Sequence, residues 1–522
     1  MTVEEKSYLR LARPFELKDK KERRIFRFYE MLPGLLAWGT LILFILSAKF
    51  FPEQTSFFLI IFVLFWFLRT IYFTFLLFSG FRKTKTNQKI SWRKKIESLS
   101  FPRLTLPNLK SLNQLWQLVI LPTYKEPYPV LRDSLEALKN SGYPVSQMIV
   151  VVGFEKREQK QAEPIAEKIR QEYQTIFGHF LITFHPDQPG ELAGKGANEA
   201  YTGKQVLEKV INPAKIPLEN IITTVLDADT QVDPGYFDCL SYHYLTCQKP
   251  LRSSFQPIPL YTNNIWQAPV FSRILAFSTT FWQMIQQARP EAMVTYSSQS
   301  IGFKPITEIG FWQENLISED SRIFYQCFLH FDGDWQVVPL YFSVRMDANF
   351  GSSFWQTIKR LYVQQRRWAY GAENIPYLLY GYRKNKKISL KEKIKHAFII
   401  IEGFHSWTTH SVILFFLGWL PLWLGSHNFK FTILSYNLPQ IAGFFMRFSM
   451  IGLFLTAYFA MVLMPKKPGS ISRAEKIWLF FQWLLGPVSI FLSTLPAIDA
   501  VTRLMLGKYM GFHVTLKSRN KT

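Results

Sequence analysis

The sequence predicts an α/β domain inserted between transmembrane α-helices. Two observations point to membrane helices. Of 522 residues, 48% are hydrophobic and 48 are Phe, too apolar for an ordinary soluble enzyme, yet 19% are charged. Apolar runs at 32–51, 57–79, and about 397–424, 440–464 and 477–506 bracket one polar block. Each is near or above the roughly 20 residues a helix needs to cross the hydrocarbon core. The third observation lies inside that block. Short β-branched runs alternate with helical patterns, which implies right-handed crossovers and a parallel sheet.

Residues 1–31 form a polar, basic segment with no cleavable signal-peptide pattern. Residues 32–80 follow as a transmembrane hairpin, linked through Phe51–Ser56. Arg69 interrupts its second half. A charge at that depth is costly, so the helix is expected to pack against others with the guanidinium turned toward the near interface. Residues 81–112 are a basic juxtamembrane linker, rich enough in Lys and Arg to mark the cytoplasmic side.

Residues 113–396 form the domain proper, with interfacial helices at its end. Strands are expected at Leu115–Leu121, Gln147–Gly153, Phe180–Phe184 and Ile221–Leu226, and helices at Val130–Asn140 and Glu155–Tyr173. After residue 229 the alternation weakens into aromatic helices around 233–247 and 265–288. A charged helical stretch follows at 352–380. Residues 397–507 are C-terminal transmembrane helices, and 508–522 a basic tail. Three single crossings would put that tail outside the cell. Gly486-Pro487 and Pro496 therefore suggest a re-entrant or broken pair at 477–506, the alternative being that part of 397–424 lies at the interface.

The net charge is +23. It clusters beside the apolar runs, which favours membrane lipids over nucleic acid as its partner. Cys239, Cys247 and Cys327 give no disulfide framework and suit a reducing compartment.

Chemistry concentrates where the fourth strand ends. Ile221–Asp229 runs from β-branched residues into Asp227 and Asp229. Ligands of open parallel sheets lie beyond the carboxyl ends of the strands. Two acids there can share one hard divalent cation, Mg²⁺ or Mn²⁺, although an acidic turn reads the same way. Gly194-Lys195-Gly196-Ala197-Asn198 is either a glycine-rich turn or a place where Lys195 meets a phosphate. Glu319 and Asp320 follow Ser318, a pattern that fits helix capping and also fits a general base. Gln364, Arg367 and Trp368 share a helical stretch, as a basic interfacial face or as a diphosphate clamp with a flat sugar platform. Trp407, Trp419, Trp423, Trp478 and Trp483 read as an interfacial belt or as stacking surfaces for a saccharide.

The order of the motifs discriminates. Pro-Thr-Tyr-Lys-Glu at 122–126, Gly-Lys-Gly-x-Asn at 194–198, Asp-x-Asp at 227–229, Ser-Glu-Asp at 318–320 and Gln-x-x-Arg-Trp at 364–368 resemble the series of processive family-2 glycosyltransferases, the cellulose, hyaluronan and chitin synthases. Phe512-His-Val514-Thr515-Leu-Lys517 resembles the gating loop of bacterial cellulose synthase. The resemblance implies a GT-A-like nucleotide-sugar-binding domain on the cytoplasmic face of the cell membrane. It implies an inverting transfer from a nucleotide-sugar donor, a UDP-sugar, to a growing saccharide. In that scheme Asp320 is the base, with Glu319 beside it. Asp227 and Asp229 hold the nucleotide and the metal, and Lys195 and Glu126 lie around the nucleotide. Glu155 takes the place of the aspartate usual after the second strand. Gln364, Arg367 and Trp368 meet diphosphate and acceptor, while Phe512, Val514, Thr515 and Lys517 form a lid. The alternatives are a transferase moving one sugar to a polyprenyl-phosphate or glycolipid acceptor, and a non-enzymatic transporter or scaffold.

Overall fold

Four apolar, β-branched runs form the parallel half of one eight-stranded sheet. They are β1 (Trp116–Pro122), β2 (Met148–Glu155), β3 (His179–His185) and β4 (Ile221–Val225). In this computed structural model, residues 8–99, 106, 109–467, 469 and 472–511 are described. β2 and β4 are buried at every position, as strands covered by helices on both faces must be. The spatial order β3-β2-β1-β4 is parallel throughout, so the carboxyl ends share one edge. Each strand begins and ends within two residues of its expected position.

The other half was not legible as strands. It comprises β5 (Gln231–Val232), β6 (Ser253–Leu260), β7 (Ser300–Gly302) and β8 (Gln336–Arg345). β7 pairs antiparallel with both β4 and β6, and the sheet continues β4-β7-β6-β8-β5. β5 and β7 are too short to show a period. β6 carries Pro257 and Pro259, and its pairing with β8 shifts register between Gln256 and Ile258. Proline demotes a run to edge or bulge when only sequence is read. The mixed sheet with this parallel half is a GT-A-like fold.

Among the described residues, three helices are long and apolar enough to cross a membrane: Lys20–Phe50, Pro52–Asn87 and Ile433–Leu463. A fourth joins them if Leu390–Phe415 and Leu417–Leu424, bent by 47°, act as one span. The hairpin link is Phe51 alone, because Pro52 starts the second helix, where its missing N–H costs nothing. The stretch 477–506 falls on the helices Arg473–Gln482 and Gly486–Met505, with a 3-10 turn at Trp483–Leu485 between them. Trp419, Trp423 and Trp478 are exposed on these helices, as a belt requires, whereas Trp483 is buried. Trp407 Nε1 donates to Ser493 Oγ at 2.7 Å.

Arg69 lies where its helix packs against another, as expected, and it finds a partner there. Its guanidinium forms a two-pronged ion pair with Glu402 of Leu390–Phe415 and lies over the Trp66 and Phe73 rings. A partner 333 residues away, within an apolar run, satisfies the charge and removes the need to snorkel. The helix Phe354–Ala369 packs against Gly486–Met505, where Asp499 accepts from Arg366 at 2.9 Å and from the Tyr362 hydroxyl at 3.0 Å. The C-terminal helix thereby supports the Gln-x-x-Arg-Trp motif.

Candidate active site

At the carboxyl end of β4 the chain turns, with Thr230 N donating to the Asp227 carbonyl at 2.8 Å. The two acids then separate in role. Asp227 keeps about a quarter of its side chain exposed (28%) and accepts from Ser297 Oγ at 2.9 Å. Asp229 is fully buried, and its Oδ2 accepts the Asp347 N–H at 2.9 Å. Asp227 faces the open edge, while Asp229 ties the turn to the segment after β8. Ser298, next to Ser297, sits at φ 67°, a conformation non-glycine residues rarely adopt, and such residues concentrate at functional sites.

Lys195 opens the helix Lys195–Val206. Gly153 on β2 gives that helix room, since a Cβ there would come within 2.2 Å of Asn198 Oδ1. Gly196 serves the same end. A Cβ on it would meet the Gln313 carbonyl at 2.7 Å and Glu319 Cβ at 3.0 Å. The motif glycine thus admits the Glu319 turn. Lys195 Nζ lies 2.8 Å from Asp227 Oδ1, 2.9 Å from Asp320 Oδ1 and 3.5 Å from Glu199 Oε1. Burial lowers the affinity of this ammonium for its proton, but Asp227, Asp320, Glu199 and Glu319 outweigh burial and hold its pKa well above the ordinary value.

Glu319 and Asp320 form the first turn of the helix Glu319–His330, where the helix dipole favours carboxylates. Ser318 does not cap it. Its hydroxyl donates to Glu373 Oε1 at 2.8 Å instead. Burial raises the Asp320 pKa, Lys195 opposes the rise and Asp227 adds to it. Burial and then Asp320 push Glu319 up to about 8, against the attraction of Lys195 and Arg367. A carboxyl raised from 4.5 in this way favours folding fully only below its unfolded value, and that contribution is lost as pH climbs toward 8. Glu319→Gln should therefore gain stability over the parent between about pH 5 and 8 and lose the gain toward pH 4. Thermal unfolding across that range checks this.

Gln364, Arg367 and Trp368 share one face of Phe354–Ala369, three and four residues apart. Gln364 Oε1 accepts from Asn349 Nδ2 at 3.3 Å. Gln364 and Trp368 line a cleft with Tyr261, Asn349 and Gln365. Burial raises the Tyr261 phenol pKa, and so do Asp227, Asp229 and Asp320, while Arg367 lowers it. The fields of all four charged residues converge on this hydroxyl. Thus Lys195, Asp227, Asp229, Asp320 and Arg367, far apart in the chain, meet at one sheet edge.

Two expected donor residues lie further along that edge. Glu126, after β1, accepts from Thr123 Oγ1 at 2.8 Å and from the Tyr124 N–H. Glu155, at the end of β2, is buried. Its oxygens take Asn198 Nδ2 at 2.9 Å and His185 Nδ1 at 3.3 Å, with Arg157 Nε at 3.5 Å. That carboxylate braces the helix carrying Lys195. Phe512, Val514, Thr515 and Lys517 lie outside the described residues.

Sequence reasoning missed Glu199, Tyr261, Ser297, Asp347 and Glu373. Glu199 alone left a signal, four residues after Lys195 and so on the same helix face. Among the described residues, Glu199, Glu319 and Asp320 bring carboxylate oxygens within 4.8 Å of one another. These three, and the Asp227–Asp229 pair, offer only hard oxygen donors, a set that fits Mg²⁺ or Mn²⁺ better than a softer ion.

Residues 222–491 match the family described as glycosyl transferase family group 2. No curated protein matches the chain in sequence. Among solved structures, the chain is similar to the mannosyltransferase PcManGT from Pyrobaculum calidifontis in complex with GDP-Man and Mn²⁺. The identity is 12%, the likeness covers 81% of this chain and 99% of that one, and the TM-score is 0.37. It is also similar to residues 1–349 of S. aureus TarS, at 12% identity over 76% of this chain and 91% of that one, with TM-score 0.33.

Proposed function

The chain belongs to glycosyl transferase family group 2 and is a glycosyltransferase, and we propose that it is an inverting, membrane-bound polysaccharide synthase. The observation that carries this is the Lys195 ammonium held between Asp227 and Asp320. It puts the carboxylate proposed as base within one cation's width of the carboxylate proposed for the donor.

In the proposed reaction an acceptor hydroxyl attacks the anomeric carbon as its bond to the nucleoside diphosphate breaks. Asp320 takes the hydroxyl proton while the new bond forms, and the configuration inverts. Negative charge grows on the leaving diphosphate, where Lys195 and Arg367 stabilise it. A divalent ion, when bound by Asp227 and Asp229 or by the neighbouring carboxylates, supplies further neutralisation of that charge. Glu126 and Glu155 stand at the strand ends proposed for the nucleotide of a UDP-sugar. Gln364 and Trp368 orient the acceptor, with Trp368 as a flat face for a sugar ring. The proposed lid is Phe512, Val514, Thr515 and Lys517. The enzyme is proposed to be multi-pass in the cell membrane, with its catalytic domain on the basic, cytoplasmic side.

Product length tests the polymer assignment. Protein in detergent, supplied with labelled donor and Mg²⁺ or Mn²⁺, should yield a size distribution extending well beyond one added sugar. A single labelled sugar on an extractable lipid would instead make it a transferase to a lipid carrier.

A further inference from the structure

The turn that carries Asp320 is held from outside the catalytic motifs. Glu373 lies five residues beyond Trp368 and is buried (2%). Its Oε1 accepts three bonds from the residues just before the Glu319 helix: Ile317 N at 3.2 Å, Ser318 N at 3.1 Å and Ser318 Oγ at 2.8 Å. Its Oε2 accepts from Arg13 Nη1 at 3.2 Å. One oxygen fixes the turn and the other fixes the N-terminal segment.

That segment is built into the domain. Arg10 donates to the Trp312 carbonyl at 3.1 Å and to that of Gly310. Gln313 Nε2 donates to the Arg10 carbonyl at 2.9 Å, and the Tyr377 hydroxyl donates to that of Leu9 at 3.0 Å. Arg322, in the second turn of the helix carrying Asp320, donates to the Leu11 carbonyl and to the Glu373 carbonyl. The Arg13 guanidinium also covers the Tyr509 ring at 4.3 Å. The N-terminal segment and the base-bearing turn thus meet at the Glu373 carboxylate, and Tyr509 packs on the Arg13 side of the pair.

We propose that Glu373 and Arg13 are positioning residues for sugar transfer, setting where Asp320 stands relative to Lys195 and Asp227. The Glu373 carboxylate bonds to Arg13, Ile317 and Ser318, so its effect on Asp320 passes through Ser318. The proposal rests on Asp320 being the base. A carboxylate that must meet a hydroxyl within hydrogen-bond range is sensitive to displacement of about 1 Å, which can lower a rate about 100-fold. Donor affinity depends instead on groups placed by β4, by the helix Lys195–Val206 and, for Arg367, by the helix Phe354–Ala369, which Asp499 anchors. The turnover number should fall while the donor KM holds.

The test uses full-length protein in detergent, with Glu373→Gln, Arg13→Gln, the double variant, Arg13→Lys and, as reference, Asp320→Asn. Glu373→Gln keeps an oxygen for Ile317 and Ser318 but turns an amide N–H₂ toward Arg13. Each Gln single variant should lower kcat about 10- to 100-fold with donor KM within about twofold, and should melt at a lower temperature, since each leaves one charge of a buried pair uncompensated. The double variant should lose no more than the worse single one, because both act through one contact. Arg13→Lys should recover most of the rate. Unchanged kcat in Glu373→Gln, or losses that simply multiply in the double variant, would overturn the positioning role. If Glu373→Gln unfolds the protein, the pair Arg13→Lys and Arg13→Gln decides the matter. Equal rates in those two would count against the proposal. Full activity in Asp320→Asn would remove Asp320 as the base, whatever the Glu373 variants did.

Discussion

Asp320→Asn should lower sugar transfer by roughly 100- to 10,000-fold, the range that general-base catalysis supplies. Donor affinity should change by no more than about threefold, because the 2.8 Å contact between Lys195 and Asp227 remains. Asparagine fills the same space and cannot accept a proton as a base. It removes one of four acids around Lys195, so it does not add to the cost of burying that cluster. The pH profile of the parent enzyme adds a second check. Burial raises the Asp320 pKa, so the rate should fall with acid starting above the usual aspartate range. Calorimetric donor binding beside a turnover assay separates the outcomes. If binding and turnover vanish together, Asp320 maintains the site's structure.

Lys195→Met should have the larger effect on the molecule as a whole. It keeps the bulk of the side chain and removes the ammonium that lies among Asp227, Asp320, Glu199 and Glu319. Breaking a buried ion pair from one side costs about 3–5 kcal/mol. Asp227 and Asp320 each keep about a quarter of their surface in water, so the low end, about 3 kcal/mol, is expected at pH 7. The carboxylates relieve one another by taking up protons, so the loss should shrink as pH falls toward 4. Donor binding should be lost as well, since Lys195 is assigned to the diphosphate. Unfolding of Lys195→Met and Lys195→Arg at pH 7 and pH 5 tests this. A Lys195→Met protein as stable as its parent at pH 7 would mean that the cluster is solvated or neutral.

The parallel half of the sheet was legible because β1, β2 and β4 are buried on both faces and their residues say so without reference to anything distant. Asp227, Lys195 and Asp320 were legible as motifs, yet their convergence on one ammonium was not, because 125 residues separate Lys195 from Asp320. Ser318 shows the limit of local chemistry. Its sequence fits a cap, but Glu373, 55 residues on, competes for the hydroxyl and wins with a charged acceptor. Arg69 shows the same limit in the apolar helix Pro52–Asn87, since Glu402 looks like an isolated charge in an apolar run. Glu155 was expected at the nucleotide through the family resemblance, in place of an aspartate. Burial beside Asn198 and His185 gives it a bracing part that no single strand pattern encodes.

Release of nucleoside diphosphate is the most direct test of sugar transfer at this site. Purified protein in detergent would be screened against nucleotide-sugar donors with Mg²⁺ and with Mn²⁺, with Asp320→Asn in parallel. Release from one UDP-sugar, metal-dependent and abolished in Asp320→Asn, is the expected result. Equal release from parent and variant would contradict Asp320 as the base, and with it the assignment of this carboxylate cluster as the site of transfer.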